Sequence, residues 1–246
     1  MIVPNVRASF GSGEIELLLR LLERETKRGR RYWERRLGVE GVDSLLDRPE
    51  SFSGIMAGVG VSAMSPKLAF YIMVRHTLLD SGLDDRNIAD YIATLLVEFA
   101  VEGRAFRIAR YDDKTYQYLV DLVCDLEGEN SERRQFLLRA HLGNYSLWLS
   151  GLFPDYVAAR VRRRGAPGLN YYDDVGAAGY RLASECELAG RFDLAGTYRF
   201  MASEFRLVRR ALNRFSDRFF FPKSTVPIER LLRQAVDGTD VGTQHK

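Results

Sequence analysis

The stretch "RAHLGNYSLWLSGLFPDYVAARVRRRG", residues 139–165, decides how the fold of this chain is interpreted. Its first half is apolar around nearly the whole helical circumference, which is typical of a helix that is buried among others. Pro154 then interrupts the pattern and suits the first turn of a new, short helix, which Gly165 ends. We therefore expect a buried central helix followed by an exposed helix that is rich in arginine.

Small and polar residues interrupt the buried part of this stretch. His141, Asn144 and Trp148 follow one another at spacings of three and four, so they share one helical face. Gly143 lies on a neighbouring face. A glycine inside a helix lowers the stability of that helix by about 1 kcal/mol, so its presence suggests that another backbone or a flat ligand comes close. Buried polar groups need hydrogen-bond partners, so the pattern predicts either a tyrosine or backbone carbonyl of another helix, or a ligand pocket.

The pocket hypothesis has a defined set of residues. His141 would act as a general base or hydrogen-bond donor without a metal, and tyrosines and a tryptophan would form the walls. For each of these aromatic residues, ordinary core packing is the alternative. The predicted pocket residues are His141, Gly143, Asn144, Tyr145, Trp148, Tyr171 and Tyr172.

The motif "HLGNYS", residues 141–146, resembles in outline the glycine-kinked distal helix of haem oxygenase-like bundles. This resemblance implies an all-α bundle that binds a small molecule or acts as an enzyme. That family uses an N-terminal histidine as the proximal haem ligand, whereas residues 14–36 contain no histidine. Neither His76 nor His141 completes a metal-binding HExxH or ExxH motif, so we expect no cofactor and no metal.

The short helix after Pro154 provides a second candidate site. Only five of the 36 basic residues of the chain are lysine. This bias reflects either a GC-rich genome or selection for bidentate recognition of carboxylate or phosphate groups. The predicted partner surface consists of Arg160, Arg162, Arg163 and Arg164.

The rest of the chain predicts the fold class. Apolar residues recur at spacings of three and four from Ile15 onward, and no segment alternates with a period of two. We predict an all-α fold, a single compact and irregular bundle of about eight to ten helices built from αα-hairpins. One domain would span residues 1–236, with an amphipathic, charged helix over 14–36, an irregular connector over 38–65 and a disordered tail over 237–246.

Composition and charge exclude few function classes. The hydrophobic fraction of 46% suits a globular protein, and a net charge of +3 does not by itself indicate nucleic acid. No apolar run approaches the roughly 18 to 20 residues of a membrane helix. The N-terminus lacks the pattern of a signal peptide, which predicts a cytoplasmic protein.

Three functions stay open from the sequence. We favour a non-enzymatic binding or regulatory protein that uses a helical groove and the arginine surface to bind an acidic protein partner or a second copy of itself. The alternative is a small-molecule-binding bundle or enzyme with a pocket around His141 and Asn144. The third is nucleic-acid binding through the basic segments 20–36, 160–164 and 206–218, because clustered arginines neutralise phosphates.

Overall fold

The computed structural model describes residues 1–57, 65–220 and 230. Every regular element in these ranges is helical, so the predicted all-α bundle is confirmed. The described residues form twelve α-helices, more than the sequence predicted. They belong to two compact units, Ile2–Ala105 and a second one made of Met1 and the chain from Phe106 onward.

Some predictions fall outside the described residues. These are the disordered tail over 237–246, residues 58–64 of the predicted connector, and His245. A single domain over residues 1–236 stays a prediction.

The first unit differs from the sequence interpretation at its beginning. The predicted single helix over 14–36 was wrong, because Lys27 adopts a left-handed conformation with φ of 55° and ends the first helix there. The irregular connector over 38–65 was also wrong where it is described, since two helices occupy most of residues 38–56. The helices of this unit are α1 (Ser12–Thr26), α2 (Arg30–Leu46), α3 (Pro49–Met56), α4 (Pro66–Leu79) and α5 (Arg86–Phe99).

A buried arginine of α4 forms an ion pair with Asp47, which lies between α2 and α3. Arg75 on α4 is 1% exposed and donates two hydrogen bonds to Asp47, at 2.7 and 2.9 Å. Burial opposes ionisation of Asp47, yet Arg75 and Arg86 hold its pKa below the ordinary value. The neighbouring His76 stacks on Phe52 with ring centroids 5.1 Å apart, which makes it a packed core histidine.

The second unit is built around the long helix that contains residues 139–152. The helices of this unit are α6 (Leu119–Gly128), α7 (Glu132–Leu152), α8 (Pro154–Arg164), α9 (Leu169–Ser184), α10 (Glu187–Arg191), α11 (Ala195–Ser203) and α12 (Phe205–Phe219). Helix α7 contacts α6, α8, α9, α10 and α12, which explains its apolar circumference.

The break after α7 is stabilised by α12. Proline has no backbone N–H, so Pro154 cannot continue the hydrogen-bond ladder to the carbonyl of Ser150. Nδ2 of Asn213 instead donates to the carbonyl oxygens of Ser150 and Gly151, both at 2.8 Å. Oγ of Ser216 donates to the next carbonyl, that of Leu152, at 2.6 Å. Two side chains of α12 therefore donate hydrogen bonds to the last carbonyl groups of the central helix.

Candidate functional site

One face of α7 packs directly against α9. A Cβ atom added to Gly143 would lie 2.7 Å from ring atoms of Tyr180, and one added to Gly179 would lie 2.8 Å from the carbonyl oxygen of Arg139. Real Cβ atoms essentially never come this close to other heavy atoms. The glycines therefore permit a close approach of two helices.

Polar residues of α7 take part in the same contact. Tyr180 donates a hydrogen bond from its hydroxyl to Oδ1 of Asn144 at 2.9 Å, and both residues are buried. His141 is 3% exposed, and its ring stacks on that of Tyr145 with the centroids 6.0 Å apart. Of the two arrangements that the sequence left open at Gly143 and Asn144, the structure contains the contact with a tyrosine of another helix.

Two other residues of the predicted pocket border an open cleft. Tyr145 and Trp148 face this cleft, which has a volume of about 390 Å³ and lies between α7, α8 and the chain that precedes α6. The ring centroids of Trp148 and Phe153 are 5.1 Å apart, so the aromatic wall is closely packed. Most of the lining is aromatic: the residues are Phe106, Gln117, Tyr118, Tyr145, Trp148, Leu149, Phe153, Tyr156 and Arg160.

The two adjacent tyrosines of α9 have different environments. Tyr172 is 6% exposed and belongs to the same packed core as Tyr145, whereas Tyr171 is 36% exposed. Burial raises the pKa of both Tyr145 and Tyr172, although the nearby Arg160 opposes this effect. Both phenols therefore keep their protons to a higher pH than an exposed tyrosine does, and Tyr145 donates its hydroxyl to the carbonyl of Gln117 at 3.0 Å.

Arg160 is the cation of the cleft. The central carbon of its guanidinium lies 5.4 Å from the ring centroid of Tyr118 and 5.6 Å from that of Tyr156. Its Nε is buried without a hydrogen-bond partner, and no carboxylate of a described residue pairs with it. Two tyrosine rings thus hold a guanidinium beside an aromatic cleft, with its charge not neutralised by an acidic side chain of the described chain.

The other arginines of the predicted partner surface lie at the exposed end of the same helix. Arg162, Arg163 and Arg164 occupy the last turn of α8, where cations favour the helix dipole. Gly165 follows with φ of 59°, which confirms that a glycine ends this helix. The structure therefore joins residues from both predicted sites, because Arg160 belongs to the cleft that Tyr145 and Trp148 border.

Sequence reasoning missed the residues that hold Arg160. Tyr156 and Arg160 are four residues apart on α8, a spacing that places them on one helical face and could have been recognised. Tyr118 immediately precedes α6 and is distant from Arg160 in sequence, so no local pattern pointed to it. Only the packing of α6 and α8 near α7 brings the two tyrosines to the same guanidinium.

The basic segments differ in how many of their arginines form ion pairs with other residues of the chain. Arg209, which is 4% exposed, donates to Asp173 at 2.7 Å, and Arg206 donates to the same carboxylate at 3.3 Å. Two arginines of the 206–218 segment therefore form ion pairs with Asp173 of α9. The segments 160–164 and 20–36 keep exposed arginines.

No three side chains of the metal-ligating types come together within residues 1–57, 65–220 and 230. In the same ranges, no helix has both the length and the apolar character needed to span a membrane.

Comparisons with protein-family models, curated proteins and solved structures found no match for this chain.

Proposed function

We propose that this protein is a non-enzymatic binding protein whose aromatic cleft receives an apolar side chain from an acidic segment of a partner protein. A carboxylate of that segment would pair with Arg160. The observation that carries the proposal is the guanidinium of Arg160, held by Tyr118 and Tyr156 at an open cleft without a carboxylate.

The chemistry of Arg160 supports an anionic partner group. A guanidinium has five N–H donors in a planar fork, and cation–π contacts use its face rather than these donors. Two tyrosine rings restrict its rotamers, so little side-chain entropy remains to be lost on binding. A carboxylate that pairs with it would form charge-assisted and bidentate hydrogen bonds.

The lining of the cleft supports an apolar side chain as the second anchor. A volume of about 390 Å³ suits one large side chain or a small ligand. Binding energy at protein interfaces is concentrated in aromatic and arginine residues around such pockets, and Tyr118, Trp148, Tyr156 and Arg160 are residues of these types. The exposed arginines at the end of α8 add positive charge that would accelerate encounter with an acidic segment.

The test uses the fluorescence of Trp148. The chain contains two tryptophans, and Trp33 is buried among helices of the first unit. In a Trp33→Phe background, titration with a short synthetic peptide that carries one leucine or phenylalanine among glutamates is expected to change the Trp148 emission. The same peptide with lysines in place of the glutamates is expected to have no effect.

Matched variants make this test specific. Arg160→Gln is expected to weaken binding of the acidic peptide about tenfold or more, since each 1.4 kcal/mol of lost interaction lowers the affinity about tenfold. Arg20→Gln removes an equal charge from an arginine that pairs with Glu16 on α1, and it should leave peptide affinity unchanged. Equal affinity of wild type and Arg160→Gln, or no response to any acidic peptide of the series, would overturn the proposal.

The aromatic lining also favours a second candidate, a small aromatic carboxylate. Such a ligand would fill the cleft alone and would need only the carboxylate pair with Arg160. Phenylacetate as the probe distinguishes the two: a small-molecule site predicts that it binds and competes fully with the peptide. Binding of the peptide without competition by phenylacetate favours the protein partner.

A further inference from the structure

A second basic surface lies at the turn between α1 and α2, in the unit Ile2–Ala105. We call it the α1–α2 basic surface. Its five members are exposed, and none of them pairs with a carboxylate within the described part of the chain. They are Arg24, Lys27, Arg28, Arg31 and Arg35.

The acidic residues of the same segment contact residues that do not belong to the α1–α2 basic surface. Residues 20–36 contain eight basic and three acidic side chains. Glu23 and Glu34 both pair with Arg30, at 3.8 and 2.9 Å, and Glu25 packs toward Gly54 of α3. One arginine therefore uses two of the three carboxylates, and the basic excess is concentrated on the exposed surface.

Helix stability does not account for the arginines of α2. Cations near the C-terminal end of α1, such as Arg24 and Lys27, interact favourably with its dipole. Arg31 is in the first turn of α2, and Arg28 precedes that helix, whose first turn contains no acidic residue. Positive charge at a helix N-terminus is unfavourable. Arg28 contacts the ring of Tyr32, but Arg31 makes no ion pair or cation–π contact within the described residues, so local structure does not account for its charge at this position.

An exposed aromatic ring lies within the basic surface. The ring of Tyr32 is 40% exposed, and the guanidinium carbons of Arg28 and Arg36 lie 5.4 and 5.8 Å from its centroid. Proteins that bind single-stranded nucleic acid combine a basic track for the phosphates with aromatic rings on which bases stack. Arg28 and Tyr32 provide both elements side by side.

We propose that the α1–α2 basic surface binds single-stranded nucleic acid, with phosphates contacting Arg28, Arg31 and Arg35 and a base stacking on Tyr32. This inference is independent of the function proposed for the cleft, because it concerns other residues in the other unit. The turn at Lys27 is what places the end of α1 beside these arginines.

The experiment measures binding of a fluorescently labelled oligouridine to the full-length chain by anisotropy, over a series of salt concentrations. The triple variant Arg28→Gln, Arg31→Gln, Arg35→Gln is expected to bind weakly and to lose about two units of the log–log salt slope, since each phosphate contact on a single strand contributes about 0.7. The control is Arg181→Gln, Arg191→Gln, Arg199→Gln, which removes the same charge from exposed positions on α9, α10 and α11 and should bind like wild type.

Tyr32 tests the stacking component separately. Tyr32→Ala is expected to weaken oligouridine binding about fivefold or more, because stacking of a base on an aromatic ring contributes at least that much. Tyr32→Phe keeps the ring and should bind like wild type. Thermal melts of every variant establish that the loss of binding is not a loss of folding.

Four results would overturn this proposal. They are no binding of oligouridine at low salt, equal losses in the two triple variants, equal affinity for a duplex of the same length, and binding to phosphatidylserine vesicles without binding to RNA. None of them bears on the peptide titration at Arg160, so the two proposals can fail separately.

Discussion

Helix α7 has two faces of opposite character. On one face, Gly143 leaves room for the ring of Tyr180, and the contact with α9 is filled. On the other face, the large rings of Tyr145 and Trp148 border an open cleft with Arg160 beside it. Small residues let helices approach until no space is left, whereas bulky rings hold neighbouring elements apart. We expect the first face to govern stability and the second to govern binding.

The largest effect is expected at Gly179. Gly179→Ala would place a Cβ atom 2.8 Å from two backbone atoms, the carbonyl oxygen of Arg139 and the nitrogen of Gly143. Backbone cannot rotate away as a side chain can, so the free energy of unfolding should fall by about 3 kcal/mol. Chemical denaturation would measure this loss.

The matched control for Gly179 is Gly196 on α11. A Cβ atom there would meet nothing within 4 Å, so Gly196→Ala should raise the free energy of unfolding by about 0.5–1 kcal/mol through helix propensity. If both glycine variants were equally stable, the close approach of α7 and α9 would not be required for the fold.

A smaller loss is expected when the hydroxyl of Tyr180 is removed. Tyr180→Phe deletes the donor to Asn144 while keeping the ring against Gly143, which should cost about 1–2 kcal/mol of unfolding free energy. Tyr171→Phe, which changes a partly exposed tyrosine of the same helix, should stay within about 0.5 kcal/mol of wild type. Thermal and urea unfolding of the two variants would sharpen the contrast, and equal losses would contradict it.

On the cleft face, burial of Tyr145 should make the free energy of unfolding depend on pH in alkaline solution. Burial raises the pKa of Tyr145, so the folded protein keeps this proton at a pH at which the unfolded chain releases it. The resulting stability is present below the unfolded pKa of about 10 and is lost as pH rises toward the folded pKa. Above about pH 10, the free energy of unfolding should fall more steeply in wild type than in Tyr145→Phe, by up to about 1 kcal/mol per pH unit.

Comparing slopes rather than absolute stabilities is necessary here. Tyr145→Phe also loses the hydrogen bond to the carbonyl of Gln117, and that loss is the same at every pH. Parallel pH profiles for the two proteins would show that the phenol of Tyr145 is not protected by the fold.

Apart from the control variants, the smallest effect on stability is expected at Arg160. Arg160→Gln removes two cation–π contacts near the surface, which should cost no more than about 1 kcal/mol of unfolding free energy. The same variant should lose affinity for the acidic peptide. A stability loss as large as that of Gly179→Ala would assign Arg160 to the core and remove the distinction between the two faces.

The sequence predicted the central helix well and the cleft only in part. The apolar circumference of residues 139–152 indicated burial, and Pro154 and Gly165 marked the bounds of the next helix. Tyr145, Trp148 and Arg160 were named as candidates, but in two separate sites. Their meeting in one cleft depends on packing between α7 and α8, which a local pattern does not specify.

The sequence by itself determined the helical class of this protein, because the spacing of apolar residues and the conformational limits of proline are local properties. Tertiary structure decided the rest. Lys27, rather than Gly29, adopts the left-handed conformation that ends α1, and Tyr180 occupies the space that Gly143 leaves. Tyr118 reaches Arg160 from a distant part of the chain. Each of these outcomes depends on which helix lies against which, and this is set by long-range packing that no single stretch of sequence contains.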